Sequence, residues 1–165
     1  MINKKNQLFF AIKIGKVEIN SIGKSIKTIT LKEKSDFVLF NLNCTPSMKH
    51  IKYCFDCITE KNRFNAVEFL KKLTGKKQVK EAQNKTELDK TRKACLIVTG
   101  KNRKKVNQSI KRLQKIIGLK EEKKINEMKR LKKLVKKEKI QLKSFGEDFY
   151  SSVDNFFIER SALVI

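Results

Sequence analysis

The run Asp36-Phe-Val-Leu-Phe-Asn-Leu-Asn43 is almost continuous in apolar residues. A strand without polar alternation has no face to give to water, so it must be covered on both sides. The chain therefore needs a substantial core. Its 165 residues can supply one, because a domain of this size buries roughly 68–70% of the surface its unfolded chain exposes. A hydrophobic fraction of 39% with 11 Phe also excludes a wholly disordered basic tail.

Around this strand the periodicities alternate in type. Residues 7–14 place Leu8, Phe10, Ile12 and Ile14 on one face of a second strand. Residues 15–33, with Gly15 and Gly23 among scattered Ile, read as a turn, a short helix and a return. Thr45 reads as an N-cap with Pro46 at the first helical position. The helix that follows carries Met48, Ile51, Phe55 and Ile58 on one stripe. A helix from Asn65 carries Val67, Phe69, Leu70 and Leu73 and stops at Gly75, and a short helix follows near 77–84. Lys93-Ala-Cys-Leu-Ile-Val-Thr99 is another strand, ended by Gly100. Asn102 opens a helix with Val106, Ile110, Leu113 and Ile117 in phase, closed by Gly118. Residues 121–139 read as a Lys-dominated helix with the narrow seam Ile125, Met128, Leu131 and Val135. A helix near 148–158 and a last strand, Ser161-Ala-Leu-Val-Ile165, complete the expectation.

This order lacks the regular strand–helix alternation of a doubly wound sheet. The expected fold is α+β, one domain over 1–165, with a small mixed or antiparallel sheet of about four strands and five to six helices. A Lys-rich helical segment is expected near 119–143.

Charge points to a polyanion. The chain has 40 Lys+Arg against 17 Asp+Glu, a net +23, and nucleic acid is the simplest partner for such a surface. Of the basic residues 34 are Lys and only 6 are Arg, with Ile and Asn also abundant, a bias that AT-rich coding alone would produce. The charge is uneven: residues 101–143 hold 18 Lys+Arg and 4 Asp+Glu, while residues 144–165 hold one Arg and four acids. No apolar run approaches the roughly 18–20 residues of a membrane span. The apolar stretch Leu8–Ile12 is too short for a signal peptide, so a cytoplasmic protein with four reduced cysteines is expected.

Catalytic signatures fail one by one. Cys44, His50, Cys54 and Cys57 contain the residue types of a zinc site. Their spacing interleaves with Ile51, Phe55 and Ile58, where cysteine packs as a small hydrophobe. Gly23-Lys24-Ser25 ends like a phosphate loop, but Glu18 stands where the first glycine is required. One His gives no nucleophile–base pair, and Glu60, Glu68 and Glu81 sit apart as solvent-face charges. The sequence reads as a non-enzyme without cofactor or metal.

Leu73-Thr-Gly-Lys-Lys-Gln-Val79 is a junction where one helix stops and another begins with two lysines and an amide between them. A helix N-terminus with adjacent lysines suits a phosphate, and Gln78 could reach a base edge. A Gly-capped junction with solvated lysines is the plain alternative, and local physics leaves both open.

The string Asn65-Ala-Val-Glu-Phe-Leu-Lys-Lys-Leu-Thr-Gly-Lys-Lys-Gln-Val-Lys-Glu-Ala82 resembles a motif of the small kinase-binding, tRNA-recruiting subunit of the KEOPS complex (the Cgi-type, or TPRKB, family). In that family an Ala-Val-Glu-(apolar)-Leu helix runs into Ser-Gly-x-Arg-Gln-Ile and then Glu-Ala. The flanking order is similar: the helix Thr45–Lys61 before it, the strand Ala94–Val98 after it, and a closing Ile158-Glu-Arg-Ser-Ala-Leu-Val164. The likeness spans roughly 7–118 and 147–165. Thr74 replaces Ser and Lys77 replaces Arg, which loses the bidentate fork. Asn84-Lys85 replaces an apolar residue and a glycine turn.

The resemblance implies a non-catalytic subunit supporting threonylcarbamoyladenosine modification of tRNA. It would hold the 3′ CCA end and dock on a small atypical kinase-ATPase, and through it meet the synthase subunit. The RNA site would comprise Thr74, Gly75, Lys76, Lys77 and Gln78, with Lys80 nearby. His50, Lys61, Arg63 and Asn65 join it on physical grounds as residues at neighbouring helix ends, with His able to stack on an unpaired base. Arg103, Lys104, Lys105, Lys111 and Arg112 would supply a non-specific field. The alternative is a structural RNA-binding protein of ribosomal type, using its basic helices on a phosphate backbone. A membrane-surface role for 121–139 is disfavoured by a narrow seam without aromatics.

Overall fold

The computed structural model describes residues 8–18, 36–45, 47–59, 64–88, 92–122, 127–140 and 148–164. The reading of 15–33 as turn, helix and return falls almost wholly outside them, as do Pro46, Lys61, Arg63, Ile125 and Ile165. The fold is α+β. A four-stranded antiparallel sheet has the order β2-β3-β1-β4, from β1 (Phe9–Lys16), β2 (Asp36–Asn41), β3 (Lys93–Gly100) and β4 (Lys120–Glu121). The helices among the described residues are α1 (Met48–Thr59), α2 (Ala66–Thr74), α3 (Val79–Thr86), α4 (Arg103–Ile116), α5 (Glu127–Lys137) and α6 (Phe149–Ala162). None is long and apolar enough to cross a membrane. The chain divides into two compact units, each assembled from three separate stretches.

The first unit holds the sheet and α4. β3 is central, antiparallel to β1 from Phe9↔Gly100 to Lys16↔Lys93 and to β2 from Asp36↔Thr99 to Asn41↔Ala94. Every β3 residue from Ala94 to Gly100 is buried, which its unbroken apolar run requires. Ala94, Leu96 and Val98 face Val106, Ile110, Leu113 and Ile117 of α4 and the following turn, with Phe9, Ala11, Phe37 and Leu39 at the margin. Full burial of each of those four helix-side residues contributes about 1.5–3 kcal/mol, and they recur at the helical spacing that keeps one stripe inward. Asn102 caps α4, its side chain accepting from the Lys105 N–H. β4 was not expected. It pairs Gly15↔Glu121 and Lys16↔Lys120, reinforced by Lys13–Glu121 at 2.6 Å.

The second unit holds most of α1 and α2, together with α3, α5 and α6. Leu131, Leu134, Val153 and Phe157 form one core cluster, joined by Val135, Ile140, Phe149 and Phe156. α1 starts two residues later than the sequence suggests. Ser47, rather than Thr45, caps it: its Oγ accepts from the His50 N–H and its carbonyl accepts from the Ile51 N–H. The Lys-rich helix begins at Glu127, because Lys120–Glu121 pair in the sheet instead. The expected last strand at Ser161 is a correction as well. Ser161 and Ala162 complete α6, and the Ser161 hydroxyl lies 2.8 Å from the Phe157 carbonyl of the preceding turn.

Candidate nucleic-acid interface

The α2–α3 junction is built from a helix that has to stop sharply. Gly75 takes φ +63, the left-handed conformation that costs an L-residue roughly 1–2 kcal/mol. This lets the Gly75 N–H return to the Lys72 carbonyl at 3.2 Å and the Lys76 N–H to the Lys71 carbonyl at 3.1 Å. After Lys76, Lys77 and Gln78, α3 begins at Val79. Gln78 occupies its N-cap position in extended conformation, and its side chain makes no capping bond. The first N–H groups of α3 therefore keep their capacity for another acceptor.

Side chains at this turn divide by direction. Lys77, Gln78 and Lys80 are exposed, and among the described residues Lys77 and Lys80 form no ion pair. Lys76 is half-buried and paired with Glu81 at 3.1 Å. Thr74 points the other way. It is fully buried, with its hydroxyl donating to the Leu70 carbonyl at 2.8 Å. Thr74 thus ends α2 from within and, against expectation, offers no surface to an RNA end. Asn65 is exposed just ahead of α2. Lys61 and Arg63 lie outside the described residues.

His50 departs from the expectation that its ring stacks on an unpaired base. It is at 0% exposure. Thr45 Oγ lies 3.1 Å from Nδ1 and Ser161 Oγ 2.9 Å from Nε2, and Phe157 meets the ring edge-on. Ser161 also donates to the Lys72 carbonyl at 2.8 Å. That arrangement assigns a neutral imidazole with its proton on Nε2, donating to Ser161 while Nδ1 accepts from Thr45. Burial, and then the Lys85 ammonium, push the His50 pKa down to about 4. The role of His50 is to tie α1 to α6, and through Ser161 to the last turn of α2.

The cysteines give no metal geometry. Cys44 and Cys54 are buried, their thiols pushed up to about 12 chiefly by desolvation. Cys54 Sγ lies 3.4 Å from His50 Nε2. Among the described residues no group of three or more His, Cys, Asp or Glu side chains is arranged to hold a metal.

Beneath the junction lies a charged triad that the sequence did not suggest. Lys85 Nζ donates to Glu138 at 2.7 Å and Arg160 Nη1 donates to the same oxygen at 3.1 Å. Burial opposes ionisation of Glu138, but Lys85 and Arg160 outweigh it and hold its carboxyl below the usual range. Burial likewise lowers the Lys85 pKa, with Glu138 working against that shift. These residues lie far apart in sequence and on separate elements, so no local pattern could have joined them.

In the other unit, α4 presents Arg103, Lys104, Lys105, Lys111, Arg112 and Lys115 to solvent, and its sequence contains no acid. Arg103, Lys104, Asn107, Gln108 and Lys111 line an open depression of about 500 Å³. These charges are carried on a regular helix whose opposite face is buried.

No protein-family model matches the chain, and no curated protein matches it by sequence.

Proposed function

We propose that this protein is a non-catalytic, tRNA-recruiting subunit of the KEOPS type, holding the 3′ CCA end at the α2–α3 turn. In this reading it also docks on a small atypical kinase-ATPase and supports threonylcarbamoyladenosine modification of tRNA. The observation that carries the reading is the turn itself. A left-handed Gly75 delivers two exposed lysines and a glutamine whose side chain makes no capping bond to the start of α3. A single-stranded RNA end offers the matching groups, namely phosphates for lysines and N–H groups, and unpaired base edges for an amide. The basic face of α4 supports the reading in a secondary way, by raising the local concentration of any RNA without selecting its sequence.

The test compares binding of intact tRNA with the same tRNA lacking its CCA end, at fixed salt. Intact tRNA binds at least about tenfold more tightly in this reading, equivalent to about 1.4 kcal/mol. Lys77→Ala and Gln78→Ala each reduce that preference. Equal binding of the two RNAs with the same salt slope contradicts the reading, and so does a pull-down that recovers no small kinase. Equal binding would favour the second reading, a structural RNA-binding protein of ribosomal type. The uninterrupted cationic face of α4 is the observation behind that one.

A further inference from the structure

Gly75 and Arg160 are distant in sequence and adjacent in space. A Cβ placed on Gly75 would lie 2.6 Å from Arg160 Nε and 2.7 Å from its Cδ. The arginine side chain therefore occupies the volume that any other residue at 75 would claim. Its position is held from behind by Glu138, which takes Nη1. Glu138 also serves Lys85, so one carboxylate is shared by two cations and a net positive charge remains against the turn. A guanidinium has five N–H donors in a rigid planar fork. Glu138 engages one nitrogen of it, while Nε and Nη2 make no hydrogen bond among the described residues, and the side chain is 28% exposed.

We propose that Arg160 is a further phosphate-binding residue of this turn, its guanidinium meeting a backbone phosphate of the RNA end that Lys77 and Gln78 hold. The inference rests on the functional reading given above and deepens it. Glu138 is the anchor that pre-orients the fork, and Gly75 is the only residue that leaves room for it. The turn's own sequence offers point charges, and Arg160 brings the one planar, bidentate donor group.

Binding of full-length tRNA and of CCA-lacking tRNA is measured over a salt series for wild type, Lys77→Ala, Arg160→Lys and Arg160→Gln, with melting curves to check folding. Arg160→Gln is expected to weaken binding of intact tRNA by about tenfold, the size of one charge-assisted hydrogen-bonded contact. It also flattens the slope of log K against log salt by about 0.7, as one lost contact to a single strand does. Arg160→Lys keeps the slope and loses roughly threefold in affinity, since charge survives and the fork does not. Neither variant changes binding of the truncated tRNA. If wild type prefers intact tRNA and Lys77→Ala weakens it while Arg160→Gln leaves affinity and slope unchanged, the role of Arg160 is overturned alone. If Arg160→Gln does not fold, Arg160→Lys decides, and wild-type affinity in that variant overturns the proposal. A wild type indifferent to the CCA end overturns the functional reading and this inference together.

Discussion

Lowering the pH should destabilise this protein through a single imidazole. His50 is the chain's only histidine, and it is fully buried with Thr45 and Ser161 on its two nitrogens. Desolvation first, and the Lys85 ammonium second, bring its pKa to about 4, while a backbone contact at Phe157 opposes them weakly. Cys54, the other titratable neighbour, stays a neutral thiol. In the unfolded chain the same ring titrates near 6.5. Above pH 6.5 both states hold a neutral ring and stability is complete. As pH falls from 6.5 toward about 4 the unfolded chain takes up a proton that the folded protein refuses, so stability is lost over that window. Between pH 7.5 and 5.0 the loss from this one group is about 2 kcal/mol, or a fall in Tm of roughly 4–8 °C for a chain of this length. Urea denaturation at the two pH values measures it. His50→Gln, which retains one donor and one acceptor, should lose about 2 kcal/mol less than wild type over the same interval. The NMR signal of the single imidazole checks the cause directly, because it should keep its neutral position down to pH 5. A folded-state titration near 6.5, or equal pH dependence in wild type and His50→Gln, would refute the reasoning.

Other expectations concern packing and charge. Ser161→Ala leaves the His50 Nε2–H and the Lys72 carbonyl without their shared hydroxyl, so urea denaturation should show a loss of about 1–3 kcal/mol. Gly75→Ala combines a strained φ of +63 with displacement of Arg160 and should destabilise by about 2 kcal/mol, read the same way. Leu113→Ala, at a fully buried position against the sheet, should cost about 2–5 kcal/mol. Replacing Arg103, Lys104, Lys105 and Lys111 together with Gln should leave Tm nearly unchanged. It should flatten the salt dependence of duplex RNA binding by roughly 0.9 per phosphate contact removed, and an unaltered slope would mean α4 touches no backbone.

Local pattern carried the elements that bury a regular stripe. Val106, Ile110, Leu113 and Ile117 announced α4, and the unbroken run in β3 announced a covered strand, because both signals are set by burial on a fixed period. The junction Gly75-Lys-Lys-Gln78 was legible for a similar reason: a glycine that ends a helix is a local event. What depends on distant residues was not legible. β4 is two charged residues long, and it exists because Gly15 has no side chain where the Lys120 backbone passes, the carbonyl carbon lying 2.7 Å from where a Cβ would stand. Ser161-Ala-Leu-Val-Ile165 has strand-like composition, yet α6 runs through Ala162 with Ser161 turned inward to His50 and the Lys72 carbonyl, contacts made by distant residues. His50 was placed at the RNA site because it lies near a helix start, and nothing local revealed the ring between Thr45 and Ser161. The triad of Lys85, Glu138 and Arg160 is likewise a product of tertiary packing.

The strand order also sets a schedule for synthesis. β1 and β2 are successive among the described strands but do not pair with each other; β3 lies between them and pairs with both. On the ribosome the apolar strand containing Val38 and Phe40 thus waits for β3, its partner among the described strands, until about 60 further residues have been added, an interval of roughly 3–12 s at typical elongation rates. Throughout that interval its β3-facing edge is open and largely apolar, of the kind that aggregates or recruits chaperones. Translational pauses before Lys93 prolong the exposure, whereas pauses after Gly100 and its emergence from the ribosome do not.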